Sequence, residues 1–174
     1  WVTRNCGRKW DEVGKNLPAK VRDLWVSRIE TSRFHEGTAY LSFDGHRSDV
    51  FEPLLFVTRD YGRTWTAIPG DLPKNHPIQV VRESPLAAGV LLVGTSFGCF
   101  LSNDDGAHWQ PLMKNLPAVE VDDIFIHRRD HTIVAATHGR SVYVLDKATP
   151  LLELTPDVMK KRFHLFSLPP ATAF

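Results

Sequence analysis

Cysteine is nearly missing from this chain: Cys6 and Cys99 are the only two in 174 residues. That excludes a disulfide scaffold and a four-thiolate metal centre, and two free thiols are expected. Long hydrophobic runs are missing too. No stretch approaches the ~18 consecutive apolar residues of a spanning helix, so no membrane span is expected. Charge of one sign is not in excess, because 21 Lys and Arg stand against 20 Asp and Glu. The nearest basic cluster, Arg128-Arg129, is followed at once by Asp130, so a nucleic-acid partner is not expected. There is no Gly-rich phosphate loop, no nucleophile elbow and no alternating acid pattern of a calcium loop. No cofactor and no metal are therefore expected. No basic-then-apolar leader opens the sequence, and its first residue is Trp1, so the chain reads as a fragment or a processed product.

What is present is a repeat. Residues 3–18 (TRNCGRKWDEVGKNLP), 58–73 (TRDYGRTWTAIPGDLP) and 102–117 (SNDDGAHWQPLMKNLP) align without gaps. Each opens on a hydroxyl residue (Thr3, Thr58, Ser102), followed by an Asx (Asn5, Asp60, Asp104) and a glycine (Gly7, Gly62, Gly106). A tryptophan closes the unit (Trp10, Trp65, Trp109), and Leu-Pro comes 7 residues later. The chemistry is that of a tight hairpin corner. The Asx side chain accepts from backbone N–H groups further on, and glycine supplies a positive φ. The hydroxyl ties the incoming strand to the corner, and the indole covers it.

The flanks read as short strands. Thr38–Phe43 and Pro53–Val57 precede the second corner, and Val90–Thr95 and Gly98–Leu101 precede the third. Trp25–Glu30 and Ile78–Arg82 lie further upstream. The repeat of four short strands in roughly 45 residues is the size of a propeller blade. The expected fold is all-β: a β-propeller fragment of four-stranded antiparallel blades joined by these corners. Residues 1–23 are read as the end of one blade, 24–78 and 79–121 as two blades, and 122–147 as a last, incomplete one. Residues 148–174 are read as a C-terminal strap with one short helix, Thr155–Lys161, capped by Thr155 with Pro156 at its first position. The strap is expected to pack back through Leu151, Leu152, Leu154, Phe163 and Phe166.

The pattern Ser/Thr-x-Asp-x-Gly-x-x-Trp resembles the Asp-box, or bacterial neuraminidase repeat. The copies at 58–65 and 102–109 match at every defining position, and the copy at 3–10 carries Asn5 in place of Asp. The closing stretch from Ala136 to Asp146 is similar to the propeller end of large exported proteins of the sortilin-like or glycosyl-hydrolase-like kind. The resemblance implies a secreted or periplasmic location and a carbohydrate or a peptide or protein as ligand. It also implies further blades in the same polypeptide. One fold hosts several functions, so it implies either a glycosidase, sialidase-like or glucanase-like, or a non-catalytic peptide-binding propeller. A purely structural spacer is a third reading.

The same resemblance puts the Asp-box corners on one face and ligands on the other, where the loops between second and third strands emerge. Asp60 and Asp104 are then structural. The first such loop carries Asp44, His46, Arg47, Asp49 and Glu52, and the last carries His138 and Arg140. Asp44, Asp49 and Glu52 are the candidate catalytic carboxylates, since glycoside hydrolysis uses two carboxyl groups ~5–10 Å apart. His46, Arg47, His138 and Arg140 are candidate ligand contacts. His127 and His131 bracket a hairpin turn, which argues against zinc. Trp25, Phe56, Phe100, Phe125 and Tyr143 are expected between blades, in the core.

Overall fold

The computed structural model describes residues 1–112 and 115–168. The described residues form eleven strands in three antiparallel sheets, with two short helices at the end. The first sheet runs in the order β1 (Trp25–Thr31), β2 (Ala39–Asp44), β3 (Leu54–Thr58), β4 (Thr66–Ala67). The second repeats it with β5 (Ile78–Glu83), β6 (Leu91–Thr95), β7 (Gly98–Ser102), β8 (Gln110–Leu112). The third has β9 (Val121–His127), β10 (Thr132–Thr137) and β11 (Val142–Leu145), with β11 at its edge. Ahead of the first sheet, residues 1–23 hold one isolated bridge, Val2 to Asp11, around the first corner. This is the architecture of a β-propeller fragment.

The strand residues explain the stacking. In β3, β6 and β7 every residue is buried, and their sequences (LLFVT, LLVGT, GCFLS) are nearly continuous apolar runs. A strand needs that when both faces of its sheet are covered. In β6, Leu91 and Val93 face the first sheet, packing with Tyr40, Leu55, Val57 and Trp109. Leu92 faces the third sheet, packing with Val121, Ile124, Ile133 and Ala135. A third cluster joins Leu17 and Val21 to Leu41, Phe43, Leu54 and Phe56. Alternation of side chains along each strand therefore builds one apolar layer between each pair of sheets.

The three corners share one geometry. In the corner between β3 and β4, Thr58 Oγ1 accepts from the Gly62 N–H at 2.8 Å, and Asp60 Oδ1 accepts from the Thr64 N–H at 2.9 Å. Between β7 and β8, Ser102 Oγ and Asp104 Oδ1 do the same for Gly106 and His108, both at 2.9 Å. Asn5 replaces the carboxylate with its amide oxygen and accepts from the Lys9 N–H at 2.8 Å. The residue before each glycine is left-handed, with φ 55° at Cys6, 59° at Tyr61 and 62° at Asp105. Its N–H is donated across the blade: Tyr61 to the Gly37 carbonyl and Asp105 to the Gly89 carbonyl, both at 2.9 Å.

The corners also hold neighbouring sheets together. A Cβ on Gly62 would come within 2.9 Å of Val13, and one on Gly106 within 2.9 Å of the Ile68 carbonyl oxygen, both on the preceding unit. The Asn16 amide donates to the Gly62 carbonyl at 2.9 Å, and the Asp71 carboxylate accepts from the Trp109 N–H at 2.6 Å. The residue ahead of each of the first two Leu-Pro pairs thus reaches forward to the next corner.

Several expectations need correction. Trp25 and Phe125 are 68% and 57% exposed, whereas Phe56 and Phe100 are buried and Tyr143 is half-buried. The reason is position: β1 and β9 are first strands, and nothing among the described residues covers their outer sides. Trp10 is also exposed, because no described sheet lies against its corner. The strap has two short helices, α1 (Thr149–Leu152) and α2 (Pro156–Met159). Thr155 caps α2 by accepting from the Val158 N–H at 3.3 Å. Leu152 is fully buried and its carbonyl accepts from the Ser84 hydroxyl, but Phe163 points into solvent. The Pro169-Pro170 end of the strap lies outside the described residues. Among the described residues no helix is long and apolar enough to cross a membrane.

Candidate functional site

In every sheet the first strand carries a bulge near its start. The register shifts between Val26 and Arg28, between Ile78 and Val80, and opposite Ala136/Thr137, where Val121 and Asp123 are the paired residues. The extra residues are Ser27, Gln79 and Asp122. A bulge twists the strand and re-aims a side chain. Gln79 and Asp122 thereby meet residues at the loops between second and third strands, whereas the Ser27 hydroxyl also donates to the Ile78 carbonyl of the second sheet at 2.6 Å. Ser27 Oγ lies 2.9 Å from Ser42 Oγ, and the Gln79 amide donates to Ser96 at 3.4 Å. Asp122 lies 3.4 Å from His138 Nδ1.

In the third sheet this device gathers three ionisable side chains. Glu120, Asp122 and His138 each place one polar atom within 4.8 Å of the others. The His138 N–H donates to the Glu120 carbonyl at 2.9 Å, which fixes the β10–β11 loop beside the start of β9. Glu120 is half-buried, and burial pushes its carboxyl above the usual range. The charges of Asp122 and, from the first sheet, Asp44 push it the same way, against the opposing pull of His138. A carboxyl shifted upward beside a second carboxyl group and an imidazole is a candidate proton donor for acid–base chemistry. The same donor set could hold a divalent cation, with two carboxylates and one imidazole.

The candidate residues of the first loop divide. Asp44 ends β2 and is buried, and its carboxylate takes the His46 N–H at 3.1 Å and lies 2.6 Å from His46 Nδ1. His46 to Ser48 form a 3-10 turn closed by Asp49, which is left-handed at φ 55°. Glu52 points outward and pairs with Lys20 at 3.4 Å. Asp44 shares the face with Glu120, and neither Asp49 nor Glu52 reaches that cluster. Arg47 is exposed, and Arg140 lies exposed in the β10–β11 loop two residues beyond His138. Sequence reasoning missed Glu120 and Asp122. No signal pointed to them: the gapless repeat ends at Pro117, and the bulge that sets Asp122 beside His138 has no signature in local spacing.

On the opposite face the corner carboxylates are bound up locally. Asp60 is lowered to about 2, first by the Thr64 N–H and hydroxyl. Burial works to raise Asp104, but bonds from the His108 N–H and ring and the Ser102 hydroxyl outweigh it. Beside the corners Tyr40 donates to Glu83 of the second sheet at 3.2 Å and also lies 3.3 Å from Asp105. Arg59 pairs with Asp105 as well.

The fold and its loop face define a β-propeller segment, and solved structures place it among such proteins. It superposes on the GH74 xyloglucanase from Xanthomonas campestris with a TM-score of 0.59 at 18% identity, covering 80% of this chain and 25% of that one. The GH74 enzyme of Niastella koreensis gives 0.55 at 13% identity, covering 70% and 21%. YCF48 bound to D1 peptide gives 0.53 at 16% identity, covering 75% and 38%. The likeness is one of fold, and the chain spans less than two fifths of each of these proteins. No family model matches the sequence, and no curated protein matches it either.

Proposed function

We propose that this chain supplies blades to a larger, exported Asp-box propeller whose loop face binds carbohydrate and cleaves it as a glycosidase. One observation carries the reading: the upward-shifted Glu120 carboxyl beside Asp122 and His138, on the face that also holds Asp44. Glu120 is assigned as the acid that protonates the leaving oxygen. Asp122 or Asp44 is the second carboxyl group, and its separation from Glu120 sets whether configuration is retained or inverted. His46 orients Asp44, and His138 and Arg140 contact the substrate. The likeness to GH74 enzymes supports a sugar-cleaving reading, with the substrate unassigned. The boundaries proposed for the blades are those read from the repeat, with residues 148–174 as the strap.

Aryl glycoside hydrolysis by the full-length protein tests this. Glu120→Gln is expected to lower kcat by about 100-fold or more and to remove the alkaline limb of the pH–rate profile, the fall in rate as the acid loses its proton. Undiminished hydrolysis by that variant would overturn the assignment of Glu120. Absence of hydrolysis on any aryl glycoside would overturn the enzyme reading.

A second reading has its own support. Trp25, Ile29 and Phe125 leave an apolar, exposed lining on the first strands β1 and β9. That suits a sortilin-type propeller holding a peptide or protein in its channel, and YCF48 was solved bound to a peptide. Capture on a peptide array by a protein inactive on glycosides would favour it.

A further inference from the structure

A cavity of about 590 Å³ opens on the face opposite the Glu120 cluster, where the ends of β1, β5 and β9 converge. Four arginines line it (Arg33, Arg82, Arg128, Arg129), with Glu30, Glu83, Pro85, Phe125, Ile126 and His127. Its charges do not cancel. Arg82 forms the floor, bonded to Glu30 at 3.1 Å, to Asp123 at 2.9 Å and to the Ile124 carbonyl at 2.7 Å. Arg129 is taken up by Asp130 at 2.8 Å. Glu83 is buried and accepts from the N–H groups of Arg33 and Gly89 and from Tyr40. Both lining carboxylates are therefore engaged. The guanidiniums of Arg33 and Arg128 have no ion-pair partner among the described residues, and both are exposed.

Beside these forks stands an aromatic wall. Phe125 is 57% exposed, and its ring centroid lies 6.2 Å from that of His127. An exposed ring in a concave site offers a π-face to the C–H side of a sugar ring, while a guanidinium fork matches a carboxylate or sulfate bidentately. A volume of that size falls within the range of small-ligand sites.

We propose that this cavity is a second carbohydrate subsite, selective for acidic saccharides. A pyranose ring rests on Phe125 and Pro85, and its carboxylate or sulfate is read by Arg33 from the first sheet and Arg128 from the third. The site lies on the corner face, so it is separate from the cluster proposed to cleave glycosides. Its role is to hold an anionic polymer, whatever the loop face does.

Calorimetric titration of the full-length protein carrying Glu120→Gln tests this without interference from turnover. The probes are a glucuronate tetrasaccharide, the same oligosaccharide with its carboxylates reduced to alcohols, a sulfated disaccharide, and a peptide with a free C-terminus. The glucuronate probe is expected to bind at least ~10-fold more tightly than its reduced form, with affinity falling as salt rises. Arg33→Gln and Arg128→Gln are each expected to weaken it ~10-fold with unchanged melting temperatures, because both side chains are exposed, and Phe125→Ala is expected to weaken it likewise. Binding of the sulfated probe alone keeps the oxyanion assignment and shifts the acidic group to sulfate. Equal affinity for acidic and reduced sugars, unaltered binding by both arginine variants, or selective binding of the peptide would each overturn the proposal. Aryl glycoside hydrolysis by Arg33→Gln in the wild-type background is expected to be unchanged, so failure here leaves the loop-face reading intact.

Discussion

At Gly106 two requirements meet: a φ of +87° and a Cβ position 2.9 Å from the Ile68 carbonyl oxygen. Gly7 has the same φ, +86°, but its nearest neighbour is the Trp10 ring at 4.0 Å. Gly7→Ala therefore meets only the left-handed penalty, about 1–2 kcal/mol. Gly106→Ala meets that and a displaced backbone, so thermal unfolding should show the larger loss at Gly106. Asp60 adds a pH dependence. Its folded value is depressed to about 2 by bonds from Thr64, so its stabilising contribution is complete above the ordinary carboxylate range and fades as pH falls through about 2. The gap in melting temperature between wild type and Asp60→Ala should accordingly narrow from about pH 4 downward. Asp60→Asn should lose less than Asp60→Ala at neutral pH, because Asn5 already makes the same acceptor bond in the first corner. His108 works in the opposite sense. Its ring is raised by Asp104, so its contribution is complete below its unfolded value and is lost as pH rises through the folded one.

Among elements, the strap shows where local pattern stops informing. Thr155-Pro156 announces a helix start, and α2 begins there. Leu152 and Phe163 are both large apolar residues near it, yet one is fully buried and the other 86% exposed. Only the docking of α1 decides between them: Ser84 and His131, from loops of the second and third sheets, bond to Leu152 and Thr149. Leu152→Ala should cost about 2–5 kcal/mol, and Phe163→Ala almost nothing, by equilibrium denaturation. The first strands teach the same lesson. Trp25 and Phe125 have the composition of core residues, but which side of a first strand is covered depends on sheets elsewhere in the ring. Bulges are equally silent in sequence. Asp122 reads as one polar residue in an ordinary strand, and one unpaired position in the ladder with β10 turns it to His138.

For the whole molecule, the uneven covering of the sheets has a direct consequence. The second sheet is covered on both faces, while among the described residues β11 presents an unpaired edge with Val142 and Val144 exposed. Open edges beside apolar surface pair with other chains. Residues 1–168 expressed alone should self-associate in light scattering, and Val142→Lys with Val144→Lys should reduce that association. A monodisperse monomer from the unaltered segment would show that the edge is protected by other means.

The sequence by itself determined the repeating corners, the strands between them and the propeller class, because those rest on contacts only a few residues apart: a hydroxyl, an Asx, a glycine and an indole. Only the tertiary structure decided which acids meet. Glu120, Asp122, His138 and Asp44 come from two sheets separated by a third, and Arg33 and Arg128 likewise approach one cavity from different blades. Such meetings depend on how sheets stack and where a ladder slips by one residue, and neither is written in local spacing.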